Sequence, residues 1–203
     1  AIEVSDTVVM DTTKVSALNA LRHDVNGTTG TVTATINGDA AVLENLAAAS
    51  ASDSDLTITV NNAATVSEGA AIVAATDATT VAFTLGVNDA FGSLTTGTGV
   101  STGMQAIVDK VSTVAIVASD APLATISANQ VTALNALMSA TSGNVTASIS
   151  GNAAELDDLQ TDTGNNQVLT ITVDDAQAGS TGVTALNLIA ASTTGTVTAA
   201  NVS

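Results

Sequence analysis

A duplication constrains this sequence more than any other feature. The stretch Leu56-Thr-Ile-Thr-Val-Asn-Asn-Ala63 returns 113 residues later as Leu169-Thr-Ile-Thr-Val-Asp-Asp-Ala176. Residues 15–21 also match residues 131–137, at an offset of 116. Internal repeats indicate that a chain folds as a series of similar structural units. Two more segments repeat at the offset of 113, namely 32–38 with 145–151 and 40–46 with 153–159.

Strand-like segments recur along the chain, with centres about 24 to 32 residues apart, a spacing typical of repeat folds. Several alternate polar β-branched residues with apolar ones, the period-2 pattern of a strand with one buried face. In Thr31–Ile36 the threonines face one way and the apolar residues face the other. The predicted strands are Ile2–Val4, Thr31–Ile36, Leu56–Val60, Val81–Val87, Val114–Ala118, Val145–Ser150, Leu169–Val173 and Val197–Val202.

Helix-like segments lie between these strands. In Ser127–Met138, the clearest of them, four apolar residues from Val131 to Met138 fall on one helical face. Its repeat-related copy, which begins at Val15, has Arg22 in the place of Met138. The shorter predicted helices are Ala40–Ala49, Val66–Thr76, Gly103–Val111, Asn152–Gln160 and Thr181–Ala191.

Alternating strands and helices predict a parallel sheet. Because one face of each strand is half polar, helices should cover only the other face. We therefore predict an α/β fold, a parallel β–α repeat solenoid of about eight coils. It should be one continuous solenoid, with four strands in 1–87, a Gly- and Thr-rich junction coil in 88–113 and four strands in 114–203. The apolar residues that should meet in its first half are Val32, Ala34, Ile36, Leu56, Ile58 and Val60 from strands, and Leu18, Leu21, Leu43 and Leu46 from the helical side.

The composition excludes several classes of protein. The formal net charge is -16, with only 3 Lys and Arg, so nucleic acid and anionic membrane are unsuitable partners. No apolar run approaches the roughly 18 residues that a membrane span needs. The absence of Cys excludes disulfides and thiolate metal sites. With 45% apolar residues, the chain is too apolar for an acidic disordered tail.

Polar residues follow the predicted strand ends, and stacked repeats would place them in a row. One interpretation is that they turn the chain and cap the next helix. The other is that their oxygens bind calcium. Both remain open at this point. The candidate metal ligands are Asp6, Asp39, Asn62, Asp89, Asp120, Asp174 and Asp175.

Threonine pairs form a second row on the outer strand face. Threonine is a good strand former on a half-exposed surface, which explains most of this pattern. A flat array of such pairs is also similar to the binding face of β-solenoid ice-binding proteins. The apolar segments Val81–Phe83 and Val114–Val117 interrupt the row.

No motif identifies a reaction. His23, the only histidine, lies near a predicted helix end, where a cation is favourable, and no nucleophile elbow surrounds it. The glycines at 97 and 99 lack the lysine of a phosphate-binding loop. Lys14, Arg22 and Lys110 are the only cations available to a polysaccharide-binding cleft. We therefore expect no enzyme.

The composition and repeats together resemble the repeat regions of very large secreted or surface-attached bacterial proteins, the type I secretion substrates of the RTX and S-layer kind. Those proteins are typically acidic, free of Cys and rich in Ala, Thr, Gly, Val and Asp. The RTX calcium nonapeptide, Gly-Gly-x-Gly-x-Asp, does not occur in this chain, so no binding residue is carried over. The resemblance implies an extracellular location, secreted or attached to the cell surface.

The expected function is that of a structural repeat module in an extracellular surface, matrix or filament-forming protein. The alternatives are a calcium-dependent adhesin or binding module and a polysaccharide-acting solenoid enzyme. The expected partners are the chain itself or adjacent modules, end to end, because Ile2–Val4 and Val197–Val202 have no visible cap. Cell-surface polysaccharide is a further expected partner.

Overall fold

Strands and helices alternate along almost the whole chain. The computed structural model describes residues 2–25, 31–49, 54–77, 80–120, 123–164 and 166–202. The strands in this part are β1 (Ile2–Val9), β2 (Val32–Gly38), β3 (Ser54–Val60), β4 (Val81–Phe83), β5 (Val87–Asp89), β6 (Thr95–Thr96), β7 (Gly99–Val100), β8 (Ile116–Ala118), β9 (Val145–Gly151), β10 (Gln167–Gln177) and β11 (Val197–Val202). The helices are α1 (Thr12–Val25), α2 (Ala40–Leu43), α3 (Val66–Ala74), α4 (Phe91–Leu94), α5 (Thr102–Lys110), α6 (Ala128–Ala140), α7 (Ala153–Leu156) and α8 (Gly179–Ala191).

The strands of the two main sheets are mostly parallel, with β1 to β4 and β8 to β11 parallel to their neighbours. The strand orders are β1-β2-β3-β4 and β11-β10-β9-β8-β5, and the β6–β7 hairpin is antiparallel. The two halves of the duplication have the same strand register. Ala34 pairs with Leu56, and 113 residues later Ala147 pairs with Leu169. The predicted α/β fold with parallel strands is confirmed. The arrangement as eight solenoid coils stays a prediction.

The chain divides into two compact units. The first contains Ala1–Asn88 and Ala106–Val114, and the second contains Asp89–Gln105 and Ala115–Ser203. The segment predicted as a junction coil is therefore shared between them. It is also more structured than the sequence suggested, because buried Phe91 and Leu94 anchor α4 ahead of the β6–β7 hairpin.

Strands β2 and β3 bury every second side chain, as their period-2 pattern predicts. The outward threonines are exposed in β2 and partly exposed in β3. From the helical side, Leu18, Leu43 and Leu46 are buried, and Leu21 is half-buried. The predicted burial is confirmed for all of these apolar groups except Leu21. The buried strand residues are Val32, Ala34, Ile36, Leu56, Ile58 and Val60.

Several strands differ from their predicted bounds. β1 and β10 run on to Val9 and Gln177 because bulges, marked by shifts in strand register, let them continue past their predicted ends. The predicted strand 81–87 is two strands, β4 and β5. Gly86, at φ 72°, turns the chain between them, a conformation that favours glycine. β8 begins at Ile116, two residues later than predicted.

The helices α2 and α7 are single turns, so the longer predicted helices 40–49 and 152–160 are wrong beyond Leu43 and Leu156. After α2 the chain tightens, and the Leu46 N–H donates to the Leu43 carbonyl at 3.0 Å. The loop that follows then bonds to the neighbouring helix instead of to itself, as described below.

Several helices begin at side chains that accept backbone N–H groups of the first turn. Asp11 accepts from the Lys14 N–H at 2.8 Å, and this bond lowers the pKa of the exposed Asp11 carboxyl because it stabilises the charged form. Two helices, α3 and α6, have complete capping boxes. These boxes pair Thr65 with Glu68 and Ser127 with Gln130.

We predict that Leu56→Ala lowers the free energy of unfolding of the first unit by about 2–5 kcal/mol, because it leaves a cavity under a side chain that is 0% exposed. Leu169→Ala should have a similar effect on the second unit. Urea denaturation followed by circular dichroism measures both. Leu85→Ala, at an exposed position, should change stability by less than about 0.5 kcal/mol. Equal losses at Leu85 and Leu56 would contradict this core.

Candidate functional site: the contacts between repeats

An asparagine in α1 holds the loop of the next repeat, where a repeat means one strand with the helix that follows it. The Asn19 Nδ2 donates to the Asn45 carbonyl at 2.8 Å, and its Oδ1 accepts from the Ala47 N–H at 2.8 Å. The side-chain amide thus satisfies two main-chain groups of the loop that follows α2.

The second unit contains the same contact. In α6, Asn135 Nδ2 donates to the Asp158 carbonyl at 2.9 Å, and Oδ1 accepts from the Gln160 N–H at 2.9 Å. Both asparagines lie in the repeated segment Val-Ser/Thr-Ala-Leu-Asn. The duplication therefore preserves a specific inter-repeat bond as well as a hydrophobic pattern.

A second contact joins a strand to the helix of the preceding repeat. The Asn62 Oδ1 accepts from the N–H of Ala40, the first residue of α2, at 2.7 Å. In the second unit, Asp175 Oδ1 accepts from the N–H of Ala153, the first residue of α7, at 2.9 Å. The first N–H groups of a helix have no partner within the helix. Here a side chain of the following repeat accepts them.

Asp120 makes a third bond of this kind, to the Phe91 N–H at the start of α4, at 3.1 Å. The expectation that strand-end residues cap the next helix along the chain is therefore wrong for Asn62, Asp120 and Asp175. Each caps a helix of the preceding repeat. The reason is the parallel sheet, which brings the end of one strand beside the start of the helix that follows its neighbour.

The remaining candidate metal ligands serve different purposes. The Asp89 Oδ1 accepts from the N–H of the next residue at 2.8 Å, and Asp174 Oδ2 accepts from Ser150 Oγ at 2.6 Å. Asp39 is exposed at the start of α2 and makes no side-chain cap bond. The side chain of Asp6 lies outside the described residues.

Four of the candidates lie within a strand and do not follow its end. Asp89 is the last residue of β5. Asp6 lies within β1, and Asp174 and Asp175 lie within β10, because bulges extend both strands. Among the side chains that the structure describes, no three His, Asp or Glu form a group that could hold a metal ion. Calcium binding by the seven candidates stays a prediction.

A buried threonine makes a third repeated contact. Thr76 Oγ1 accepts from the Leu56 N–H and donates to the Leu56 carbonyl, both at 2.9 Å. Thr193 Oγ1 lies 2.8 Å from the Leu169 N–H and 3.0 Å from its carbonyl. Gly195 then passes so close to Leu169 that a Cβ would lie 2.1 Å from its carbonyl oxygen, so only glycine fits there.

Arg22 replaces Met138 of the related helix and is buried like it. Its Nη1 donates to the Ala47 carbonyl at 2.7 Å, and its Nη2 donates to the Ala75 carbonyl at 2.9 Å. One guanidinium thus holds the loops of the two following repeats. His23, beside it near the end of α1, is exposed, as the sequence predicted.

The two lysines also bond to main-chain carbonyls. Lys14 Nζ donates to Val9 at 2.7 Å, and Lys110 Nζ donates to Thr76 at 2.9 Å and to Asp77 at 3.2 Å. These cations therefore hold chain segments together.

We predict that Asn135→Ala destabilises the second unit by about 0.5–1.5 kcal/mol, because it removes two hydrogen bonds to main-chain groups of the following loop, which water can then partly solvate. Asn135→Asp should also destabilise, since a carboxylate cannot donate to the Asp158 carbonyl. Thermal unfolding measures both. Asn129→Ala, on an exposed position of the same helix, is the matched control. Because Ala is a better helix former than Asn, the control should lose no stability, and an equal loss there would show that the two bonds are not responsible.

A calcium titration separates capping from metal binding. If calcium binds the row, millimolar calcium raises the melting temperature and chelator lowers it by mass action. If these strand-end residues only cap helices, the melting curves with calcium and with chelator coincide. Asp175→Asn provides the control, because Asn62 shows that an amide can make the same bond. A calcium shift that shrinks in this variant would support the metal site.

Comparisons with protein families, curated proteins and solved structures found no match for this chain. None of the helices in the described part has the length and apolar character that a membrane crossing requires. The internal comparison between the two units is therefore the one that informs function, and it leads to the surfaces where repeats meet.

Proposed function

We propose that this chain is a structural repeat module of an extracellular bacterial surface, matrix or filament-forming protein. In this proposal each strand with its helix forms one coil of a parallel solenoid. The module joins neighbouring modules end to end and extends a longer assembly. Its role is to provide a repeating scaffold, and it carries out no reaction.

The observation that carries the proposal is the recurrence of the same polar contacts between repeats. The amides of Asn19 and Asn135 and the caps made by Asn62 and Asp175 each join one repeat to another. Nearest-neighbour contacts of this kind are how repeat proteins gain stability, and they can propagate along an array.

The first helix presents a surface that its counterpart buries. Ala133 and Leu137 of α6 are fully buried, and the β6–β7 hairpin packs on that helix. The corresponding residues of α1 are Ala17, which is exposed, and Leu21, which is half-buried. A groove of about 200 Å³ opens there, lined mainly by apolar side chains. A preceding module of the same repeat type fits this surface.

Edge strands of the two main sheets carry apolar side chains that no described residue covers. On β1, Val9 is 61% exposed, and on β11, Val202 is 63% exposed. An edge strand also leaves main-chain N–H and C=O groups unpaired, which makes it a template for a further strand. Head-to-tail pairing of such edges generates filaments when it does not close.

The charge supports an environment that is rich in salt or divalent cations. A net charge of -16 opposes the approach of two copies, and the repulsion weakens as ions screen it. The acidic, Cys-free composition, similar to that of large secreted bacterial surface proteins, supports the extracellular location.

We predict that the protein associates end to end as salt or calcium is raised. Light scattering should show a growing mass, and electron microscopy should show linear particles. Val9→Lys and Val202→Lys should each reduce association at high salt, because they place a charge in the apolar contact. Unchanged melting temperatures would show that the variants still fold.

Thr33→Lys is the matched control, since it adds the same charge on the exposed face of an interior strand. It should leave association nearly intact in high salt. A strictly monomeric particle at high protein concentration, in every salt and with calcium, would contradict assembly through these edges.

A further inference from the structure

The helix α8 carries the inter-repeat motif for a third time. Val183-Thr-Ala-Leu-Asn187 has the same pattern as Val15-Ser-Ala-Leu-Asn19 and Val131-Thr-Ala-Leu-Asn135. The seven residues from Thr193 to Ala199 are then identical to residues 28–34, Thr-Thr-Gly-Thr-Val-Thr-Ala. In sequence, α8 and β11 therefore correspond to α1 and β2.

The three copies differ sharply in burial. The first valine of the motif is 2% exposed in α1 and 1% exposed in α6, but Val183 of α8 is 54% exposed. Leu188, on the same helix, is also exposed. In α1 and α6 the motif packs beside the single-turn helices α2 and α7. In α8 no helix among the described residues takes that place.

The asparagine shows the same difference. Asn19 and Asn135 each bond to a carbonyl and to an N–H two residues further on, in the loop after the single-turn helix. Asn187 is exposed, and within the described part of the chain its side chain makes no hydrogen bond. Its amide thus has the position and chemistry of the other two but lacks their ligand.

We propose that the face of α8 formed by Val183, Leu186 and Asn187 is a docking surface for a single-turn helix and loop of the α2 and α7 kind, placed directly after β11. The proposal rests on the proposed function and specifies how one repeat recognises the next. The surface continues an interface that the chain already builds twice. The apolar side chains bury the leucines of the incoming segment. The amide of Asn187 hydrogen-bonds to a carbonyl and an N–H of its loop.

The two segments that occupy the equivalent surfaces define what fits. They are Ala40-Ala-Val-Leu-Glu-Asn-Leu46 and Ala153-Ala-Glu-Leu-Asp-Asp-Leu159. Both leucines are buried in each segment. The loop bonds come from main-chain groups, so the partner is selected by the spacing of its leucines and by the loop shape. The occupant therefore has the pattern Ala-Ala-x-Leu-x-x-Leu.

The test extends the protein after Ser203 with a second copy of its own residues 39–49. We expect the melting temperature of the second unit to rise by about 4–8 °C, since a new apolar contact and two hydrogen bonds form. Asn187→Ala should remove much of that rise in the extended chain and change nothing in the original one. Amide exchange should show the Asn187 side chain protected only when the extension is present.

An extension whose two leucines are replaced by serine is the matched control, and it should give no rise. The proposal is overturned if the true extension leaves the melting temperature unchanged, or if Asn187→Ala does not reduce its effect. It is also overturned if Asn187→Ala instead abolishes association of the original chain, because the occupant would then be a second copy. The extension acts within one molecule, so a failure of end-to-end assembly leaves this test intact.

Discussion

Each repeat of this protein depends on its neighbour to satisfy the main-chain groups of its loops. A single-turn helix and the loop after it pair only some of their own N–H and carbonyl groups, and the others need partners from elsewhere. Asn19 and Asn135 supply the missing donor and acceptor from an adjacent helix. The hydrophobic core holds strands and helices together, but these amides determine where each loop lies.

The core was readable from the sequence because it follows simple periodicities. The period-2 pattern of residues 32–36 and 56–60 correctly gave both the strands and their buried face. Bulges and turns could not be predicted from sequence periodicity in the same way. The continuation of β10 past Val173 and the turn at Gly86 depend on strand register and backbone geometry, which leave little trace in composition.

The contacts between repeats could be predicted only in part from the sequence. The strand-end polar residues were identified, but the sheet decides which helix start lies nearest to them, so the caps fall on the preceding repeat. Asn19 was hidden within an apolar helix pattern, although its recurrence as Asn135 was a signal. Thr76 and its partner Leu56 are 20 residues apart, and no local rule connects them. Hydrogen bonds between residues this far apart in the sequence can be identified only once the fold is known.

Arg22 gives the first unit a property that the second lacks. In most repeat proteins the energetic coupling extends only to adjacent repeats, so an array can lose its end without disturbing its middle. The guanidinium of Arg22 reaches the loops of both following repeats, at Ala47 and Ala75, whereas Met138 at the related position has no donor. Arg22 therefore links three consecutive repeats of the first unit, so we expect that unfolding of the third repeat removes a hydrogen bond from the helix of the first.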